Sequence, residues 1–100
     1  MKEQLESVKV NLKKVEEMLV PRLKSRPKNP PYVYSKMQID YIKELIEKSG
    51  TITTEDEKNI DIGIMSVKEN LDAEDPELDE QISKLTWAIG KLTGRIKGKE

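Results

Sequence analysis

The chain has 100 residues, 35% hydrophobic and 37% charged, which is enough apolar material for one modest core. It contains no His and no Cys, so disulfides, thiol catalysis and metal sites built on thiolate or imidazole are excluded. The net charge of −1 gives no overall field that would attract a nucleic acid or an anionic membrane.

The N-terminal segment lacks the apolar core of a secretory signal, and no apolar run approaches the roughly 20 residues of a membrane span. We therefore expect a cytoplasmic protein with a single domain over residues 1–100 and no membrane partner. The charge is unevenly distributed, because residues 51–80 carry eleven acidic and two basic side chains, a local charge of −9.

The first helix is predicted over residues 2–25. Its apolar residues recur every three or four positions and so share one face of a helix; they are Leu5, Val8, Leu12, Val15 and Leu19. Pro21 is expected to kink or end this helix. Residues 27–31 contain three prolines, which remove backbone donors and restrict their neighbours, so this stretch is predicted to be a non-helical break.

A second helix is predicted over residues 35–49, with Ser35 as its cap and Gly50 as its stop. Its apolar residues cover a wide arc, which favours burial against two neighbours; they are Met37, Ile39, Tyr41, Ile42, Leu45 and Ile46.

A third helix is predicted over residues 54–71, started by a capping box of Thr54 and Glu57. One apolar face is expected to be buried, and it consists of Ile60, Ile64, Val67 and Leu71. We also expect Ile62 and Met65, on the other side, to be covered.

The fourth helix is predicted over residues 76–97, because Asp75 is a good cap and Pro76 suits the first helical position. It has the most regular apolar stripe of the chain, formed by Leu78, Ile82, Leu85, Ile89, Leu92 and Ile96. The pattern predicts an all-α fold, a small antiparallel bundle of about four helices with a Pro-rich break near residues 27–31.

The acidic residues suggest no catalytic or metal centre. The connection at residues 72–75 lacks the Gly and the alternating ligands of a calcium loop, so a solvated helix cap is favoured. The glycines form no nucleotide-binding loop, and exposed carboxylates without a cleft are poorly suited to acid–base catalysis. We expect no metal, no cofactor, no catalytic residue and no enzymatic activity.

Two other features have alternative interpretations. Residues 22–28 carry four cations and precede Tyr32 and Tyr34, which would suit a nucleic acid, but the acidic block would repel it, and a solvated loop is favoured. Trp87 points away from the stripe of its helix, on the side of Gly90 and Gly94. It is either an interface anchor or a residue covered by another helix, and the sequence favours neither.

Several segments resemble a known family. Residues 62–69, followed by Asp72 and by residues 75–78, resemble the immunity proteins that neutralise type VI secretion NAD(P)⁺ glycohydrolase effectors. Residues 34–42 and 87–90 are similar to the same family, and the likeness spans about residues 32–98 in one register. The first helix agrees only in general character.

The resemblance implies a small helical cytoplasmic protein that binds a toxin domain as a heterodimer and blocks its NAD(P)⁺ pocket. Such binding protects the producing cell and its kin from loss of the dinucleotide, and it requires no catalytic residue. A cleft that binds dinucleotide phosphates should be positively charged, so the acidic block is its natural counterpart.

We expect toxin contacts from the acidic residues Asp72, Glu74, Asp75 and Glu77 and from the aromatic residues Tyr32, Tyr34 and Trp87. One alternative is a helical chaperone or adaptor that holds an effector for secretion. A less favoured alternative is a small nucleic-acid-binding regulator that uses residues 22–28. The sequence leaves self-association open.

Overall fold

The computed structural model describes residues 2–96 and, for Lys2, the backbone alone. These residues form six helical segments and no strand, which confirms the predicted all-α fold. The segments are α1 (Lys2–Ser25), α2 (Pro30–Ser49), α3 (Thr54–Glu57), α4 (Ile62–Lys68), α5 (Leu71–Glu74) and α6 (Pro76–Thr93). Within the described part of the chain, none of these helices combines the length and the apolar character needed to cross a bilayer.

The core lies mainly between α1 and α6, the helices at either end of the described chain. The apolar stripe of α1 is buried from Val8 to Leu19, and that of α6 from Leu78 to Ile89. Three of the remaining helices cover this pair with one or two buried apolar side chains each, whereas α3 contributes none. These side chains are Ile39 and Ile42 of α2, Ile62 of α4 and Leu71 of α5, and Ile52 before α3 joins them.

Proline has less effect on the helices than the sequence suggested. Pro21 lies inside α1, which continues to Ser25. Pro21 and Glu17, whose carbonyl loses its intrahelical donor to the proline, are both exposed residues, so solvent can satisfy that carbonyl.

The prediction that residues 27–31 are entirely non-helical was wrong. Asn29 caps α2 by accepting a hydrogen bond from the backbone N–H of Tyr32 at 3.2 Å. Pro30 and Pro31 form the first turn, where a helix needs no backbone donor. The break is therefore limited to residues 26–29, and Ser35, the predicted cap, is a buried residue inside α2.

The predicted third helix is divided into α3, α4 and α5. Its capping box is formed by Thr53 and Asp56, one position before the predicted pair. The backbone of Asn70 is left-handed, with φ at 56°, and this conformation separates α4 from α5.

The division also changes which apolar residues face the core. Because the chain turns between α3 and α4, the apolar positions of α4 do not continue the helical spacing of α3. Ile62 is buried, as expected, whereas Ile64 and Val67 are exposed, against expectation.

The last helix ends earlier than predicted. Gly94 adopts φ of +87° and stops α6 after Thr93. The N–H of Ile96 then donates to the carbonyl of Gly90 at 3.0 Å, so the chain folds back over its own last turn. Residue 97, the predicted end, lies outside the described residues.

Candidate functional site

Residues 69–80, which we call the acidic corner, are organised around one buried carboxylate. Asp75 accepts hydrogen bonds from Nε of Arg22 at 2.6 Å and from Nη2 of Arg22 at 3.0 Å. Its Oδ2 also accepts a hydrogen bond of 2.7 Å from the hydroxyl of Tyr32. These bonds join the end of α1, the start of α2 and the start of α6, so this cluster holds three helices together.

The cluster changes the acidity of its members. The hydrogen bonds from Arg22 and Tyr32 lower the pKa of Asp75, although burial opposes the effect. Burial, followed by the hydrogen bond to Asp75, raises the pKa of Tyr32. The aspartate therefore remains a carboxylate and the tyrosine a neutral donor at physiological pH.

The four predicted acidic contacts fall into two groups. Asp75 is buried within the fold, while Asp72, Glu74 and Glu77 are exposed at the surface. Glu77 lies 3.6 Å from Nη2 of Arg22, whereas Asp72 and Glu74 have no ion pair within residues 3–96. The corner therefore presents negative charge that the described residues do not neutralise.

Tyr34, a predicted aromatic contact, belongs to α2, and its side chain extends to the start of α4. Its hydroxyl donates a hydrogen bond to Oδ1 of Asp61, and this bond, with some burial, raises the pKa of Tyr34. The backbone N–H of Asp61 in turn donates to Oε1 of Gln38 at 3.0 Å. Two residues of α2 thus fix the position at which α4 begins.

Beside Tyr34, α2 and α4 enclose an open groove of about 580 Å³. Its apolar lining is Pro30, Pro31, Val33, Met37, Ile64 and Met65, and its charged lining is Lys28, Asp61, Lys68 and Glu69. We call this feature the α2–α4 groove. Sequence reasoning missed it, because Met37 and Ile64 matched helical core patterns and were expected to be buried.

Trp87 lies on a different face, on α6 beside α1. Its side chain is 55% exposed, and the shallow depressions next to it are lined by Ser7, Asn11 and Lys84. The structure therefore brings Tyr32 close to the acidic corner and Tyr34 into the groove, and it places Trp87 apart from both.

The glycines near Trp87 have local roles. A Cβ atom on Gly90 would lie 2.5 Å from Cδ1 of Ile96, so this glycine allows the end of the described chain to pack over α6. Gly94 provides the left-handed residue that ends the helix. One of the two expectations was that a neighbouring helix covers this side of α6. At Gly90 the cover comes instead from residues 95 and 96.

A second cavity, of about 750 Å³, opens between α3, α4 and α6. At its edge, Glu57 accepts hydrogen bonds from Nε of Arg95 at 2.5 Å and from the hydroxyl of Thr93 at 2.7 Å. These bonds fasten α3 to the end of α6. Most of the cavity lining is aliphatic or hydroxyl-bearing, and within residues 3–96 no group of three acidic side chains could hold a metal ion.

One of the four cations in residues 22–28, the segment considered for nucleic-acid binding, also takes part in a contact within the fold. Arg22 is bound to Asp75, and this hydrogen bond raises the pKa of the guanidinium, although burial opposes the effect. The described surface combines a shaped groove, exposed apolar side chains and local negative charge. These features together suit recognition of another macromolecule.

Comparison with known proteins identifies the family. The profile of the Tsi6 family matches residues 3–91, which is most of the chain and all of α2 to α5. The chain has no significant match among curated proteins or among solved structures. Since the profile covers well over half of the sequence, the chain belongs to the Tsi6 family of type VI secretion immunity proteins.

Proposed function

We propose that this immunity protein binds the catalytic domain of a secreted NAD(P)⁺ glycohydrolase toxin and blocks its active site by stoichiometric binding. The observation that supports this most strongly is the family match over residues 3–91. It covers almost the whole helical scaffold rather than one short motif. In this proposal the protein is an inhibitor with no catalytic activity of its own, and its partner forms a one-to-one complex with it.

The fold is suited to inhibition by surface contact. Most of the described residues lie in helices, and the helices are joined by buried side chains and by the cluster around Asp75. A surface that is already ordered loses little conformational entropy on binding, so more of the contact energy appears as affinity. Tight binding is what an immunity protein requires, since any uninhibited toxin continues to consume NAD(P)⁺.

The charge of the acidic corner fits such a partner. An enzyme that binds the pyrophosphate of a dinucleotide needs positive potential in its cleft. Exposed carboxylates at Asp72, Glu74 and Glu77 would be attracted to that cleft and would accelerate encounter. The same carboxylates would compete with the phosphates of the substrate.

The test is an NAD⁺ consumption assay with the purified catalytic domain of the proposed partner, a secreted NAD(P)⁺ glycohydrolase effector. Adding the immunity protein in steps should lower the rate linearly and abolish it at one equivalent. A complex that still consumes NAD⁺ at the full rate would instead indicate a chaperone or adaptor. Absence of a complex by co-purification would overturn the proposal.

A further inference from the structure

We propose that the α2–α4 groove and the adjoining acidic corner together form the toxin-binding surface. The toxin segment that they accept presents one or two large apolar side chains, which enter the groove, beside lysine or arginine side chains, which face the corner. This inference rests on the proposed function and adds to it the face that is used and the chemistry of the partner.

The exposed apolar residues of the described chain are concentrated at this groove. Of the seven large apolar side chains that are exposed in the described residues, Val33, Met37 and Ile64 line this groove, and Met37 and Ile64 are 61% and 60% exposed. Residues four positions apart share one side of a helix, so α2 presents Val33 and Met37 together, and Ile64 lines the same groove from α4.

No other face shows the same concentration within the described residues. The exposed Val10 and Val20 of α1 are separated by almost three turns, and Trp87 stands on the face between α1 and α6. Single exposed apolar residues are common on soluble proteins, whereas a contiguous group usually marks an interaction surface.

The groove is rigid enough to act as a receptor. Tyr34 and Gln38 of α2 both bond to Asp61 at the start of α4, so one end of the groove is fixed by hydrogen bonds. Met65, which lines the groove, also packs against the core. A partner side chain would therefore enter a preformed site, at little cost in reorganisation.

The acidic corner adjoins the other end of the groove. There α4 leads through Asn70 into α5, and Tyr32 in the first turn of α2 is bonded to Asp75. Glu69 lies at the meeting point, because it lines the groove and belongs to the corner.

The charges at this end determine what the partner should carry. Glu69, Asp72 and Glu74 have no ion pair within residues 3–96, and Arg22, the cation nearest to Glu77, is already bound to Asp75. Lys28 and Lys68 also line the groove, but residues 69–80 contain no cation at all. Cationic groups on the partner would compensate this local excess.

The test compares groove variants with variants of matched exposure elsewhere, using the purified catalytic domain of the proposed NAD(P)⁺ glycohydrolase effector as the probe. Met37→Glu, Ile64→Glu and Val33→Glu each place a carboxylate on the lining of the groove. Val10→Glu and Val20→Glu make the same change on α1, where the wild-type side chains are also about half exposed. Circular dichroism establishes which variants remain folded, and Val33→Glu serves if either other variant does not.

We expect each folded groove variant to weaken binding by about 30-fold or more, the size of an interface hot spot, and to release NAD⁺ consumption in proportion. The α1 controls should bind within about threefold of wild type. Wild-type affinity in the groove variants, or a loss confined to Trp87→Ala, would overturn this inference while leaving the proposed function intact.

Two further outcomes would also overturn the inference, and they differ in what they mean for the proposed function. If the wild-type protein does not bind the effector domain, the proposed function fails and the inference fails with it. If light scattering shows that the free protein is a dimer which Met37→Glu converts to a monomer, the groove is a self-association surface, and only the inference fails.

Discussion

Arg22 and Asp75 lie 53 positions apart in the sequence and are joined by two hydrogen bonds, of 2.6 Å and 3.0 Å, between the end of α1 and the start of α6. Tyr32 adds a third bond to the same carboxylate, from the first turn of α2. Within the acidic corner, Asp75 is therefore a structural residue, and the exposed acids around it are the ones available to a partner.

Asp75→Ala should lower the free energy of unfolding by about 2–4 kcal/mol. The substitution leaves a largely buried guanidinium without its carboxylate and removes the cap of α6. Urea denaturation followed by circular dichroism measures the loss. Glu77→Ala removes an exposed carboxylate two positions away and should change the free energy of unfolding by less than about 0.5 kcal/mol.

Stability should fall in acid in a way that depends on Asp75. Its pKa is lower in the folded chain than the ordinary aspartate value of about 3.9 that it has when unfolded, so the unfolded chain takes up this proton first. The contribution is complete above about pH 4 to 5 and is lost as the pH falls through the folded pKa. The wild type should therefore lose more stability between about pH 5 and pH 3 than Asp75→Asn does, and parallel curves would contradict this.

Ser35→Ala should stabilise the protein by about 1 kcal/mol. Ser35 is fully buried inside α2, and its hydroxyl has no hydrogen-bond partner among the described residues. Removing a buried, unsatisfied hydroxyl removes its desolvation cost, and alanine is also the better helix former. A higher midpoint in urea with an unchanged slope is the expected result. Ser49→Ala, at the exposed end of α2, is the control for helix propensity.

Gly50→Ala should destabilise the protein by about 1 kcal/mol. Gly50 ends α2 with φ of +73°, and its N–H donates to the carbonyl of Ile46 at 2.8 Å. A Cβ atom there would meet nothing within 4 Å, so the loss arises from backbone conformation alone. If thermal unfolding shows no change, the left-handed cap is not required.

Reversing two exposed charges, in Asp72→Lys/Glu74→Lys, should slow association with the effector domain by about tenfold at low salt. Added salt should reduce the difference from wild type, because screening weakens attraction between surface charges. Stopped-flow or surface plasmon resonance kinetics measure this. Asp75 is left unchanged, since its reversal would disrupt the fold. Glu55→Lys, which reverses an exposed charge on α3, is the control. Equal association rates would exclude a steering role for these acids.

The helices α1 and α6 were predictable because each carries one uninterrupted apolar stripe. Val8 to Leu19 and Leu78 to Ile89 keep helical spacing over several turns, and both sets are buried. The family resemblance, which rested on residues within about 32–98, agrees with a profile match that also includes α1.

The errors have specific physical causes. Two prolines were interpreted as a break, although in the first turn of α2 no backbone donor is missing. Apolar spacing across residues 54–71 suggested one helix, but turns after Glu57 and at Asn70 interrupt the phase and leave Ile64 at the surface.

The role of Asp75 was only half predictable. Its position before Pro76 indicated a helix cap, and the structure shows that it accepts a bond from the N–H of Leu78. Its contacts with Arg22 and Tyr32 join residues 53 and 43 positions apart, which local patterns cannot pair. The groove was missed for a related reason, since it exists only where α2 and α4 meet.

The packing of α1 against α6 also determines when protection can begin. Asn11 and Gln81 are hydrogen-bonded across 70 positions of sequence, and α1 packs mainly against α6 and to a lesser extent against α2. During translation the stripe of α1 can therefore be covered only in part until α6 has left the ribosome. The core closes only after α6 has been synthesised, and binding that depends on the ordered fold can begin only after that step.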